Sequence, residues 1–334
     1  SQREKAWSTS LTRTHLMLSS YEQFTNMPEA LSRANLDIVV VDEAHRIRNL
    51  SAQISQAVRT LSSDRLWAVT GTPVERDKED LVTLLSTVIP GRFSILDRQR
   101  ALGVLRAESR PYILRRLKKD VLSELPMLSE HNMPVELLPR QREAYDKTLN
   151  EFSRANHSQR LAHFSRLRTI CDYDPFSQES ATSEEIINIL HTIESRSEKA
   201  IVFSHLIKPL ELLKRRIDDV FGKVVAVELR GDQPVSVRSE MVKKFKTEPD
   251  NFVLLASAKV GGEGLTLIEA NHAIFLNRWW NPSSNDQARD RIFRIGQTKP
   301  VHIYTFTSRD TVEELLDEIL ASKKLTTDQL VDRL

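Results

Sequence analysis

Leu36-Asp37-Ile38-Val39-Val40-Val41-Asp42-Glu43-Ala44-His45 is the stretch whose reading decides the fold. Its β-branched residues are stiff at χ1 and favour strand. A run that is apolar on both faces suits a parallel strand covered by helices on both sides. Two acids follow at once, at the carboxyl end of that strand. Such placement is costly unless a cation or hydrogen bonds satisfy the charges, which makes Asp42 and Glu43 candidates for binding chemistry. The alternative is a helix N-terminus, where the dipole favours Asp and Glu.

Outward from this stretch, Leu16-Met17-Leu18 and Leu66-Trp67-Ala68-Val69 read as further short strands, and residues 51–61 and 78–87 as helices. The alternation is that of an open α/β sheet, in which ligands sit at the carboxyl ends of strands. Residues 90–195 show no comparable strand series and are rich in Arg, Leu, Glu and Lys at helical spacing. The βα alternation resumes with Ala200-Ile201-Val202-Phe203, Val224-Val225-Ala226-Val227, Phe252-Val253-Leu254-Leu255, Ala273-Ile274-Phe275-Leu276 and Val301-His302-Ile303-Tyr304. The expected division is a first α/β lobe with a helical insertion over 1–139, a helical protrusion and linker over 140–195, and a second lobe over 196–334.

Composition narrows the class. A chain of 334 residues with 40% hydrophobic content can bury a full core. Lys plus Arg number 48 against 46 for Asp plus Glu, a net charge of +2, so any surface for a polyanion has to come from local clustering. The single cysteine, Cys171, forms no internal disulfide or multi-cysteine zinc site and reads as a small buried residue. No apolar run approaches the roughly 18 residues of a membrane span, and no signal-peptide core follows Ser1. The expectation is an intracellular aqueous compartment with no membrane partner. The chain lacks an initiator Met and opens in a helix-and-strand segment, so it is expected to belong to something longer.

Beyond the acids, Leu66-Trp67-Ala68-Val69 runs into Thr70-Gly71-Thr72-Pro73, and the second lobe contains Gln287-Ala288-Arg289-Asp290-Arg291-Ile292-Phe293-Arg294-Ile295-Gly296-Gln297, preceded by Trp280-Asn281-Pro282. Together and in this order they resemble the DEAH-type superfamily 2 motors, and within them the Swi/Snf group. Leu114-Arg115-Arg116-Leu117-Lys118-Lys119-Asp120-Val121, the glycine-rich loop at 257–267 and Lys199-Ala200-Ile201-Val202-Phe203-Ser204 extend the resemblance over nearly the whole chain.

The resemblance implies two RecA-like parallel-sheet lobes, the first truncated at its N-terminus, with helical insertions between them. ATP and Mg²⁺ are the implied ligands, held between the lobes. Asp42 is implied to hold Mg²⁺ through water, with Glu43 as general base. Gln287, Arg291 and Arg294 are the implied catalytic polar positions opposite; at i, i+4 and i+7 of one helix they would share a face. His45, Thr70, Gly71 and Thr72 would couple nucleotide state to nucleic-acid grip, and Gly264 and Thr266 would contact nucleotide. Ser20, Tyr21, Ser204, Gly231, Ser257, Gly261, Gly262 and Trp280 would meet the nucleic-acid backbone. The implied partner is double-stranded DNA, with other protein subunits or flanking domains.

Departures are specific. The phosphate-cradling Gly-x-x-x-x-Gly-Lys-Ser/Thr occurs nowhere, and Gly222-Lys223 is followed by Val224 without an upstream glycine. The resemblance puts that loop N-terminal to Leu16, so these residues alone are expected to hydrolyse ATP poorly. Val74-Glu75-Arg76-Asp77, Thr266 and Asp172-Tyr173-Asp174-Pro175 also stand where the family pattern differs. The implied function is DNA-dependent ATP hydrolysis coupled to translocation on duplex or remodelling of protein-DNA complexes. A strand-separating DNA or RNA helicase and a nucleic-acid-binding scaffold with an inactive motor are the alternatives. The compartment would be cytoplasm or nucleoid in a bacterium and nucleus in a eukaryote.

Overall fold

A computed structural model describes residues 2–24, 31, 33–71, 78–116, 124–257, 265–278 and 282–327. The chain divides into two compact units, residues 1–115 with 322–334, and residues 116–321. Among the described residues no helix is long and apolar enough to cross a membrane.

In the first unit β1 (Asn35–Val41) pairs in parallel with β2 (Ser62–Ala68), Val39 opposite Leu66 and Val40 opposite Trp67. α1 (Gln2–Arg13) and α2 (Tyr21–Phe24) precede them, α3 (Gln53–Arg59) lies in the crossover, and α4 (Lys78–Val88) and α5 (Leu102–Ser109) follow. Val41, Ala44, Ile47, Val58 and Leu84 form a core with Val39, Leu66 and Ala68 packed against it. The expectation of cover on both faces fails here. Ile38, Val40, Trp67 and Val69 are 45%, 56%, 54% and 50% exposed, because among the described residues α3 and α4 supply apolar cover on one face only. The strand expected at 16–18 is also absent: Leu16 and Leu18 are exposed and lie outside any helix or strand.

The second unit is built on a parallel sheet of six strands in the order β3-β8-β7-β4-β6-β5. These are β3 (Leu128–Val135), β4 (Ala200–Ser204), β5 (Ala226–Leu229), β6 (Val253–Ser257), β7 (His272–Phe275) and β8 (Val301–Ser308). α6 (Pro139–Arg154), α7 (His157–Asp172) and α8 (Ala181–Ser195) follow β3. α9 (Ile207–Phe221), α10 (Val235–Thr247), α11 (Pro282–Arg289) and α12 (Val312–Thr327) complete the helices used below. β4 is central and wholly buried, and its period of two splits it between two cores. Ala200 and Val202 face a core with α8 and α9; Ile201 and Phe203 face one with Phe245 of α10, Ala288 and Ile292.

Two elements lie where the sequence reading did not put them. β3, from the stretch read as mainly helical, is hydrogen-bonded to β8 along its full length, and α8 buries Ile186, Ile187, Leu190 and Ile193 in the core beneath the second sheet. The expected divisions at 139/140 and 195/196 therefore both fall inside the second unit. From β4 the chain goes to β5 and β6 on one side and to β7 and β8 on the other. The strand order thus reverses between β4 and β7, and open parallel sheets bind ligands at the carboxyl ends of the strands flanking such a point.

Candidate functional site

In the first unit the ends of β1 and β2 are laced together: Val69 N–H donates to Val41 O (2.8 Å) and Ala44 N–H to Val69 O (3.0 Å). Ala44 and Ile47 are fully buried, which pulls the turn after β1 down onto the core. Glu43 takes up the change of direction in the left-handed region, at φ 49° and ψ 47°. A residue with a Cβ pays for that conformation, and such strain gathers at functional sites. Asp42 is exposed, and its Oδ1 accepts from the N–H of Glu43 (2.8 Å).

His45 Nδ1 lies 3.2 Å from Glu43 Oε2 and 3.5 Å from Thr70 Oγ1, so three residues expected to act together from the sequence do meet. Burial pushes the imidazole pKa down against the pull of Glu43, which favours neutral His45. Glu43 Oε2 is shut off from solvent and makes no hydrogen bond among the described residues beyond its approach to His45. Gly71 follows on the surface. Tyr21, expected to touch nucleic acid, instead donates its hydroxyl to Asp42 O (2.6 Å) beneath the Arg46 guanidinium, 4.6 Å from its ring centre. Burial, with Asp42 and Glu43 adding to it, pushes its pKa to about 12, so the phenol remains a donor to the acidic turn. Ser20 is exposed.

In the second unit, α11 carries Gln287, partly exposed, but ends at Arg289. The expectation that Arg291 and Arg294 continue its face is therefore corrected. Past Arg289 the chain tightens into three-residue bonds, Arg291 N→Ala288 O (3.2 Å) and Ile292 N→Arg289 O (3.1 Å), and the Arg291 carbonyl accepts from Leu267 N–H (3.1 Å). This sinks Ile292 fully into the core and brings Thr266, next to Leu267, close to Arg291 along the backbone. Gln297 closes the loop: its side-chain amide donates to Ala270 O (2.8 Å), Ile268 O (3.1 Å) and Ile292 O (3.3 Å). Arg294 lies in these turns, partly exposed.

Gly231 N–H donates to Ser257 Oγ (3.2 Å), which joins the ends of β5 and β6 as two expected backbone-gripping residues. Ser204 is a correction. It is fully buried, and its hydroxyl donates to Leu206 O (2.8 Å) and Asn277 Oδ1 (3.0 Å), so it is turned away from any phosphate. Thr72, Gly261, Gly262, Gly264 and Trp280 lie outside the described residues. The sequence reading missed Arg168, Asp172, His205 and Asn277, which meet at the carboxyl ends of β4 and β7. A polar residue directly after an apolar strand, the signal that marked Asp42, also marks Asn277.

A parallel α/β fold with an acid pair after one strand and an arginine-rich turn beneath another sheet defines the class. The chain belongs to the SNF2-related domain family, whose model matches residues 1–215. The helicase conserved C-terminal domain matches residues 181–296. The chain is 29% identical to YwqA of Bacillus subtilis (strain 168), covering 95% of this chain and 38% of that protein. It is 28% identical to the ISWI chromatin-remodeling complex ATPase ISW2 of Saccharomyces cerevisiae, over 96% of this chain and 32% of that one. It therefore spans roughly a third of the length of these curated relatives. Among solved structures, the SWI2/SNF2 ATPase core of Sulfolobus solfataricus in complex with dsDNA is 26% identical, with a TM-score of 0.53 over 93% of this chain and 72% of that one.

Proposed function

We propose that this chain is the motor portion of a DNA-dependent ATPase, coupling ATP hydrolysis to translocation on double-stranded DNA or to remodelling of protein-DNA complexes. The observation that carries the reading is the position of His45, in reach of both Glu43 and Thr70. It ties the residue suited to activate water to the segment suited to report on nucleic acid.

The acidic turn fits a triphosphate and its Mg²⁺ on its own chemistry: Asp42 is exposed at a strand end, and among the described residues Glu43 Oε2 has only the approach of His45. Mg²⁺, when bound, supplies charge neutralisation at the β- and γ-phosphate oxygens. Asp42 would hold it through water, since a lone carboxylate with waters and phosphates is a usual Mg²⁺ setting. Glu43 would take the proton of the attacking water, with His45 fixing its carboxylate. Arg291 and Arg294 are the guanidiniums assigned to the developing charge, a role worth about 10³ to 10⁵ in rate. Gln287, Gly264 and Thr266 are assigned to nucleotide.

Double-stranded DNA as partner is supported by the Sulfolobus relative, which is described in complex with it. Ser20, Gly231, Ser257, Gly261, Gly262 and Trp280 are assigned to the backbone; Tyr21 is reassigned to hold Asp42, and Ser204 is withdrawn. Other subunits or flanking domains are proposed because the chain spans roughly a third of its relatives, one of them named for a remodelling complex. The proposed location is inside the cell, in cytoplasm, nucleoid or nucleus.

Fluorescence anisotropy of labelled duplexes with the 334-residue chain tests the DNA surface. The expected result is affinity that falls linearly on a log-log plot from about 50 to 200 mM salt, with a slope of roughly 0.9 per phosphate contacted and little dependence on base order. A flat salt response would count against the surface.

A further inference from the structure

Several polar side chains outside the proposed chemistry are packed at the carboxyl ends of β4 and β7, where the strand order reverses. Asn277, nearly buried, accepts at Oδ1 from His205 N–H (2.9 Å) and the Ser204 hydroxyl (3.0 Å), and its Nδ2 donates to Asp172 Oδ1 (3.0 Å). One turn earlier on α7, Arg168 Nη2 donates to the carbonyl of Arg278 (3.0 Å). The Arg278 guanidinium donates to Thr307 Oγ1 (2.9 Å) and Phe306 O (3.3 Å) and pairs with Asp317 of α12. Two consecutive residues are thus clamped from α7, β4, β8 and α12. They are the last described before the segment that carries Trp280, Gln287, Arg291 and Arg294.

We propose that Asp172 and Arg168 are positioning residues for this segment: the last turn of α7 grips the chain as it leaves β7, and so sets where Gln287 and the arginines are presented. What the segment does once positioned rests on the function proposed above; the clamp itself does not.

The clamp fits a neutral Asp172. Burial pushes its carboxyl up to about 8, and Glu313 of α12 adds to that push, while the Asn277 amide and Arg168 oppose it. The groups around it are Arg168 and Cys171 of its own helix, His205 beyond β4, Arg278 beyond β7 and Glu313. Glu313 is also held high by burial, although Ser308 N–H donates to it (2.8 Å). His205 is held near 4 by burial and by Arg168, so it brings no charge at neutral pH. Ionising Asp172 would leave a carboxylate charge in a buried site beside Glu313, a cost the Asn277 amide and Arg168 offset only in part and that opening of this end of α7 to water would relieve.

Hydrogen exchange followed by mass spectrometry on the 334-residue chain reads the segment directly. At pH 7, Asp172→Ala is expected to speed exchange in peptides spanning 276–296 by about tenfold, because the buried Asn277 amide loses its acceptor. Asp172→Asn, which keeps a carbonyl oxygen there and carries no charge open or closed, is expected to protect these peptides at least as well as the wild type. If Asp172→Ala fails to fold, the wild type decides alone: corrected for intrinsic rates, its protection in these peptides should fall about tenfold from pH 7 to pH 9, while Asp172→Asn stays level. Equal exchange in wild type and Asp172→Ala, or a flat wild-type profile, would overturn the proposal. Duplex binding at pH 7 separates the two claims. A wild type that binds no DNA but shows the exchange differences refutes the proposed function and leaves the clamp standing; binding lost in Asp172→Ala and kept in Asp172→Asn supports both.

Discussion

Glu43 and Asp172 are two acids in opposite settings, and the contrast explains what each can do. Glu43 stands on a strained turn with one oxygen enclosed and, among the described residues, approached only by His45, which suits the proposed role of accepting a proton. Asp172 is buried against an amide and held neutral, which suits a structural donor-acceptor pair. Its folded pKa, about 8, is raised above an unfolded value near 3.9, so the stability it contributes is full below about pH 4 and is lost as pH rises to 8. His205 works the other way: its folded value is about 4 against roughly 6.5 unfolded, so its contribution is full above pH 6.5 and is lost as pH falls toward 4. Urea midpoints of Asp172→Asn are therefore expected to exceed wild type by a margin that grows from pH 4 to pH 8 and then levels off; a margin constant with pH would contradict this. Asp42 could be singled out because it directly follows its strand in sequence, and the structure leaves it exposed there. Ser204 was misread because the direction of its hydroxyl is set by Asn277, 73 residues away, and Asp172 was missed because its partner is 105 residues away.

Among the elements, the end of α11 shows how a tertiary contact overrides periodicity. Gln287, Arg291 and Arg294 have helical spacing, yet past Arg289 the chain closes Arg291 N→Ala288 O and Ile292 N→Arg289 O while Leu267 N–H ties the Arg291 carbonyl to the neighbouring loop. Gly296, at φ +98°, lets the following chain turn so that Gln297 can cap three carbonyls, and a Cβ there would lie 3.1 Å from Ile268 Cδ1. Gly296→Ala is expected to cost about 1–2 kcal/mol in urea unfolding, from the strained φ and the crowding of Ile268. A change below about 0.5 kcal/mol, ordinary for a surface substitution, would contradict that account. β3 escaped notice for another reason: Glu130, His131, Asn132 and Pro134 make a poor buried strand, but β3 lies at the sheet edge, where polar residues and proline are tolerated. Leu16 to Leu18 show the reverse error, an apolar triplet that pairs with no strand.

At the scale of the molecule, the βα alternation from Lys199 onward revealed the second sheet, because parallel strands buried on both faces leave an apolar signature. The limits of the second unit were less legible, since β3 and α8 are recruited by packing that no local pattern announces. The net charge of +2 carried no sign of a nucleic-acid partner; that reading rests on motif order and on family membership. The central claim is that Glu43 activates water for ATP hydrolysis. Its most direct test is duplex-stimulated ATP turnover by these 334 residues joined to a phosphate-binding loop segment, compared with the same chain carrying Glu43→Gln. The account predicts turnover that rises with duplex DNA, a loss of about 10² to 10⁴ in rate in Glu43→Gln, and nucleotide binding retained in both. Turnover at the unaltered rate in Glu43→Gln would contradict it.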